Sequence, residues 1–444
     1  MFNDFFQKRN DMSIKRRSFI KKAGVYGSGL MAANAASMVL SKRASAAKEI
    51  TTTFMKSGTY DLAAESIENS FEKETGIDLE IITSPWAVLN QNHIADLTTG
   101  TGEFDVMSGE FWIASVFNHM LPLDGYVNKS GYGSTVINRL WEPGPSNFFN
   151  GKRIGVPHSA DAYSIIYRKD IFEKYNIDPN WTTWKEYLYT ANQLKNVLKG
   201  QDIAPISFAW GAPDQAAAIF LGAYDGMMVN SKGEYELEKD KAIAALNLMM
   251  DTANYGPSNA KALSIDESNA VFLDGKAATL ICWPSFVRSS ADKNSESNVV
   301  GKWELGNWPG PGFPMVSAWN LFISKYSSDP DSAWKWIEYH GDSERSKQFM
   351  EDFGIGSPHR TTYEDKALLR KHGHDYPGML SNLSKAKSLP WIFEAYEVFF
   401  RNVGELMSGN QSSSETVDKV HEAWSSIKVP AALIETAESQ GLKG

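Results

Sequence analysis

FFNGKRIGVPHSADAYSIIYRKDIFEKYNIDPNWTTWK, residues 148–185, decides how the chain is organised. Ile154 and Val156, and then the run Ser164–Tyr167, bring β-branched and aromatic side chains that suit a pleated strand. Pro157 and the small polar group Ser159-Ala160-Asp161 separate the two runs. That break holds no hairpin-type Asn-Gly pair, so it reads as a passage between two bodies rather than a tight turn. Asp170 follows as a helix N-cap candidate with Glu173 as its capping-box partner, and Pro179 stops the helix.

Toward the N-terminus, Glu49–Met55, Ile77–Thr83 and Phe104–Ser108 read as strands, with helices over Leu62–Thr75, ended by Gly76, and over Ala87–Thr99. This β-α-β-α-β order predicts a parallel α/β sheet, in which ligands gather beyond the carboxyl ends of the strands. Ser57, Trp86, Glu110 and Trp112 fall at those ends and are candidate binding residues. Toward the C-terminus, Thr183 and Glu186 predict a capping box at the start of a helix reaching Leu198. Ile206–Trp210, Ala277–Cys282 and Trp319–Ser324 are expected strands. Ala216–Tyr224, Lys241–Ala253, Ser332–His340, Leu389–Met407 and Ser414–Leu433 are expected helices.

Phe272, Gly275-Lys276-Ala277-Ala278 and Trp283 stand in an order that, with the 148–185 passage, resembles family 1 extracellular solute-binding proteins, the maltose-binding-like receptors of ABC importers. Ser324–Pro330 leading into a helix, and the Gly- and Pro-bearing Phe353–Arg360, extend the resemblance from Glu49 to the C-terminus. It implies an α/β, two-lobed periplasmic binding protein fold (a Venus flytrap), each lobe a mainly parallel sheet flanked by helices, with three interlobe crossings. Lobe 1 would be 47–158 plus 316–357, and lobe 2 would be 159–315 plus 358–444. It further implies a monomer that captures a carbohydrate (mono-, di- or oligosaccharide or polyol) in the periplasm and delivers it to an inner-membrane ABC permease, with no enzyme activity, cofactor or metal. Matched by motif, Trp112, Trp283 and Trp391 are its cleft aromatics, and Asp161 and Tyr163 face the cleft from the crossing. Trp210 and Trp319 complete the set. Glu110 and Arg360 would fork onto hydroxyls, and because Arg favours planar or anionic groups, Arg360 would mark an acidic sugar.

Composition narrows the alternatives. Of 444 residues 42% are hydrophobic and fourteen are Trp, ample for folded lobes. Residues 1–46 hold nine Lys/Arg and two Asp/Glu, which leaves 35 basic against 51 acidic residues in the remainder, a net charge near −16. Such a surface repels nucleic acid. Within that first segment, Lys15-Arg16-Arg17-Ser18-Phe19-Ile20 resembles a twin-arginine export motif, followed by a weakly apolar Ala23–Leu40 and a small-x-small site at Ala44-Ser45-Ala46. No Cys adjoins that site, so a soluble product without a lipid anchor is expected. Cys282 stands alone in the chain, which excludes an internal disulfide and suits a small buried filler. G-x-S-x-G, H-E-x-x-H, C-x-x-C and G-x-x-x-x-G-K-[ST] are all absent. A receptor for an anionic sugar and an exported glycan hydrolase stay as alternatives, since paired carboxylates are spaced in space rather than along the chain.

Overall fold

The computed structural model describes residues 48–291 and 297–444. The expected export segment over 1–46 lies outside the described residues. One sheet has the strand order Ile77–Ser84, Lys48–Met55, Val106–Gly109, Asn320–Ile323, Gly155–Pro157. Its first three strands run parallel. The helices that connect them, Tyr60–Thr75 and Trp86–Thr99, end on Gly76 and Gly100 in the left-handed region, the cap geometry glycine adopts without strain. The second sheet has the order Trp303–Gly306, Ser164–Arg168, Ala277–Cys282, Ala204–Ser207.

Each sheet is mainly parallel, as the sequence led us to expect, with one strand reversed in each. Asn320–Ile323 runs against both of its neighbours, and so does Ser164–Arg168. Each is delivered from the other sheet by a passage without the helical crossover that a parallel connection needs. The chain leaves the first sheet after Pro157 and joins the second at Ser164. It leaves the second after Gly306 and rejoins the first at Asn320. Within these passages Asp161–Ala162 pairs antiparallel with Val316–Ser317. A third segment lies against them, with the Ala160 amide donating to the Gly356 carbonyl at 2.9 Å. A Cβ at Gly356 would stand 1.9 Å from the Ala160 carbonyl oxygen, so only glycine permits this approach.

Local signals have mixed fates. Thr183 and Glu186 form the expected capping box, on a helix spanning Trp184–Val197. Asp170 does not cap its helix: the Arg168 guanidinium takes both of its oxygens at 2.7 Å, and Lys169–Tyr175 starts with no side-chain cap. The single helix expected over Ser414–Leu433 is two, Ser413–Trp424 and Ala431–Ser439. The second starts on Pro430, whose missing amide hydrogen cannot continue a helix. Among the described residues no helix is long and apolar enough to cross a membrane.

Candidate functional site

The carboxyl end of the Val106–Gly109 strand delivers Glu110, Phe111 and Trp112 toward the Phe393–Met407 helix. Trp112 meets Phe111 at 4.1 Å between ring centroids, Phe393 at 5.9 Å and Tyr396 at 5.8 Å, and the edge of Trp86 stands 5.6 Å away. The second sheet answers with Trp283, held between the Ala277–Cys282 strand and the Pro284–Ala291 helix. Its half-buried indole lies 4.3 Å from the Tyr163 ring and donates to Gln215 Oε1 at 3.1 Å. The Tyr163 hydroxyl donates to the same oxygen, while Gln215 Nε2 donates to Asp214 Oδ2 at 2.6 Å. Trp319 lies 5.4 Å from the Tyr60 ring, whose hydroxyl accepts from Ser159 in the first passage. Aromatic faces from both sheets therefore flank the passages that join them.

Three carboxylates punctuate these aromatics. Glu110 was expected to fork onto ligand hydroxyls, but protein donors occupy both of its oxygens. Ser317 Oγ at 2.9 Å and the Ala318 amide at 2.6 Å donate to one, and Trp112 Nε1 at 3.1 Å donates to the other. Burial outweighs these donors and pushes its carboxyl up to about 7. Glu110 thus aims the Trp112 indole and ties the first strand end to the second passage. Burial likewise raises Asp161 to about 6, against the pull of Arg288 and an amide bond from Ser285 at 3.0 Å. Asp214 is the half-exposed member, at the start of the Pro213–Ala223 helix. The phenols of Tyr60, Tyr163 and Tyr396 are raised by burial and by these carboxylates, so they remain hydroxyl donors.

The remaining sequence candidates separate. Arg360 is on the surface, donating to the Ser134 carbonyl at 2.8 Å and standing 3.8 Å from Glu364, and none of these contacts is with a cleft residue. Ser57 lies in an exposed turn, where its Oγ accepts the Tyr60 amide. Trp210 is buried, its indole donating to Thr252 at 2.9 Å. Trp391 packs in the interior on Trp424 and Phe399, yet it also borders a cavity of about 60 Å³ that Glu110, Phe111, Asn320 and Tyr396 share. Gln215 and Tyr396, which sequence reasoning missed, are central. Cys282 is buried, and burial pushes its thiol far up, as suits a filler. Among the described residues no cluster of three His, Cys, Asp or Glu is placed to hold a metal.

The profile of the bacterial extracellular solute-binding proteins matches residues 51–344, well over half of the sequence. The chain belongs to that family. This solute-binding protein is 25% identical to a protein of Brucella abortus described as a binding protein, over 68% of its own length and 72% of the relative. Its fold is that of maltose-bound MalE3 of T. maritima, with TM-score 0.75 and 21% identity, covering 85% of this chain and 99% of the other. It also matches an ABC transporter solute-binding protein of Agrobacterium radiobacter in complex with ribitol, with TM-score 0.72 and 17% identity, covering 85% and 98%. The architecture is therefore the two-lobed α/β fold of periplasmic binding proteins, in a family of binding proteins rather than enzymes.

Proposed function

We propose that this solute-binding protein captures a carbohydrate or polyol in the periplasm and hands it to an ABC permease of the inner membrane. The observation that carries the reading is the presence of aromatic rings at both sheets, Trp112 and Trp319 at the first and Tyr163 and Trp283 at the second, beside carboxylates and protonated phenols. Indole and phenol faces stack on the C–H faces of a sugar, while carboxylates and hydroxyls meet its hydroxyl groups. The related structures bound to maltose and to ribitol support the same ligand class.

Capture is the whole mechanism. A ligand touching both sheets at once gains those contacts only when the lobes are together, so binding shifts the balance toward the closed form. Moving that balance from 1:99 to 99:1 takes about 5.5 kcal/mol of differential binding, within reach of a few stacked rings and hydrogen bonds. In this reading lobe 1 is 47–158 plus 316–357, lobe 2 is 159–315 plus 358–444, and the three passages are the crossings. The protein acts as a monomer, exported folded through Arg16-Arg17.

Thermal-shift and calorimetric screening of mono-, di- and oligosaccharides, polyols and sugar acids tests the reading. A ligand at 100 times its Kd should add about 2.7 kcal/mol of stability and be recovered intact. Failure of every sugar and polyol to stabilise the protein refutes carbohydrate binding. Recovery of a cleaved product instead makes it a hydrolase.

A further inference from the structure

The cavity beside Glu110 has a donor and acceptor balance of its own. Two of its lining residues carry buried polar atoms with no hydrogen-bond partner among the described residues, the indole Nε1 of Trp391 and the amide Oδ1 of Asn320. Both side chains are 1% exposed. The Asn320 amide is fixed in this orientation because its Nδ2 donates to the Ala318 carbonyl at 2.6 Å. Unmet polar atoms in the interior are destabilising until solvent or a ligand meets them.

Two further groups on this wall are donors without a strong acceptor. The Lys387 ammonium is half-buried, stands 5.4 Å from the centre of the Phe313 ring, and has no carboxylate within ion-pair distance among the described residues. Burial and the nearby Arg139 guanidinium lower its pKa, the sign of a cation lacking a counter-ion. The Tyr396 hydroxyl has only the Met315 thioether, a weak acceptor, at 3.3 Å. The cavity's own carboxylates are already engaged, Glu142 by Arg139 at 3.1 Å and Glu110 by its three protein donors. Trp391, Lys387 and Tyr396 thus offer three donors that lack a strong acceptor, one of them cationic, against the unmet Asn320 acceptor, while the Ser388 hydroxyl on the same wall can act as either.

We propose that this chamber receives the hydroxycarboxylate end of a sugar acid, its carboxylate held by Lys387, Trp391 and Tyr396 and its neighbouring hydroxyl donating to Asn320. The assignment rests on the carbohydrate reading of the cleft and narrows it. A carboxylate satisfies the surplus donors through charge-assisted bonds, and the adjacent hydroxyl supplies the single donor that Asn320 needs. The cavity of about 60 Å³ has room for roughly four water-sized groups, which fits a CH(OH)–COO⁻ terminus. Arg360, the residue expected from sequence to mark an acidic ligand, takes no part.

Calorimetric titration with D-gluconate, D-glucuronate and D-galacturonate, each against its neutral counterpart D-glucitol, D-glucose or D-galactose, tests the chamber. At least one acid should bind about tenfold or more tightly than its neutral partner. Lys387→Met should bring the two within about threefold by weakening the acid alone, and Lys387→Arg should keep the preference. Trp391→Phe, which deletes the N–H and keeps a ring in the interior, should weaken the acid more than the neutral sugar. Neutral sugars that bind as tightly as the acids, or a Lys387→Met variant that weakens both alike, overturn the chamber and leave the carbohydrate reading standing. Binding of none of the three acids overturns the chamber, and failure of every sugar and polyol in the wider screen overturns the carbohydrate reading with it.

Discussion

The two sheets bury polar groups by opposite strategies. Around the first sheet three of the buried polar groups are neutral imidazoles. His93 lies 2.7 Å from Thr53 Oγ1, His158 lies 2.9 Å from Ser108 Oγ, and His340 stacks at 5.1 Å on Phe54 with neither ring nitrogen partnered among the described residues. Burial lowers all three, His93 and His340 to about 3. Beside the second sheet the buried group is an ion pair. Arg288 reaches both Asp375 oxygens, donates to the Gly354 carbonyl at 3.0 Å and is drawn toward Asp161 in the first passage. A buried neutral group is cheap until acid charges it, and a buried pair holds until one partner is removed. One region is therefore vulnerable to pH and the other to substitution.

The ion pair should yield the largest effect. Arg288→Met leaves the fully buried Asp375 and the nearby Asp161 without their cation, and should cost about 3–5 kcal/mol in urea unfolding. Adding Asp375→Leu should recover much of that loss. A single variant as stable as the wild type would show that the pair does not brace the passages.

Acid should expose the other strategy. The folded pKa values of the histidines lie below the unfolded value of about 6.5, so their contribution is intact above that pH and lost as pH falls toward 3. By pH 5, His93 and His340 should each remove on the order of 2 kcal/mol. Glu110 and Asp161 act with the opposite sign, since raised folded values make them costlier as pH rises toward 6 and 7. His340→Phe should therefore gain on the wild type by roughly 2 kcal/mol between pH 7.5 and pH 5 in denaturant melts. A difference that does not move with pH would break the contrast.

Trp283→Ala should weaken the ligand found by screening by about 2 kcal/mol, as for a binding hot spot. Its half-buried indole should make the folding loss smaller than the 3–5 kcal/mol typical of a buried tryptophan. Unchanged affinity would refute stacking at this position. Cys282→Ala should be the mildest change, roughly 1 kcal/mol of stability with binding intact. Lost binding with an unchanged melting curve would place the thiol in the site.

What was legible in the sequence was local. The three parallel strands and the Thr183–Glu186 box follow from signals within a few residues. The Asp170 cap failed locally too, because Arg168 two residues earlier competes for the same carboxylate. The one reversed strand in each sheet was hidden because its direction is set by the passages between sheets. The strand ends that carry Trp112 and Trp283 were legible, whereas the protein partners of Glu110 were not, one oxygen being claimed by Ser317 from 207 residues away and Ala318 beside it, the other by Trp112. Gln215 was missed because the helix begins at Pro213 rather than Ala216, which moves it from a loop onto the wall beside Tyr163 and Trp283. Tyr396 lay unmarked in an aromatic-rich helix, and only the packing of Phe111 and Trp112 on it reveals its place.

Trp86 stands apart from the other thirteen tryptophans, for it alone is exposed, while its ring lies nearly perpendicular to that of Trp112. A collisional quencher dissolved in water reaches one indole far more readily than the rest. The emission that acrylamide removes most readily is therefore that of Trp86, beside Trp112. The protein carries its own optical gauge of whether the Trp86–Trp112 pair is wet, with no dye or label attached.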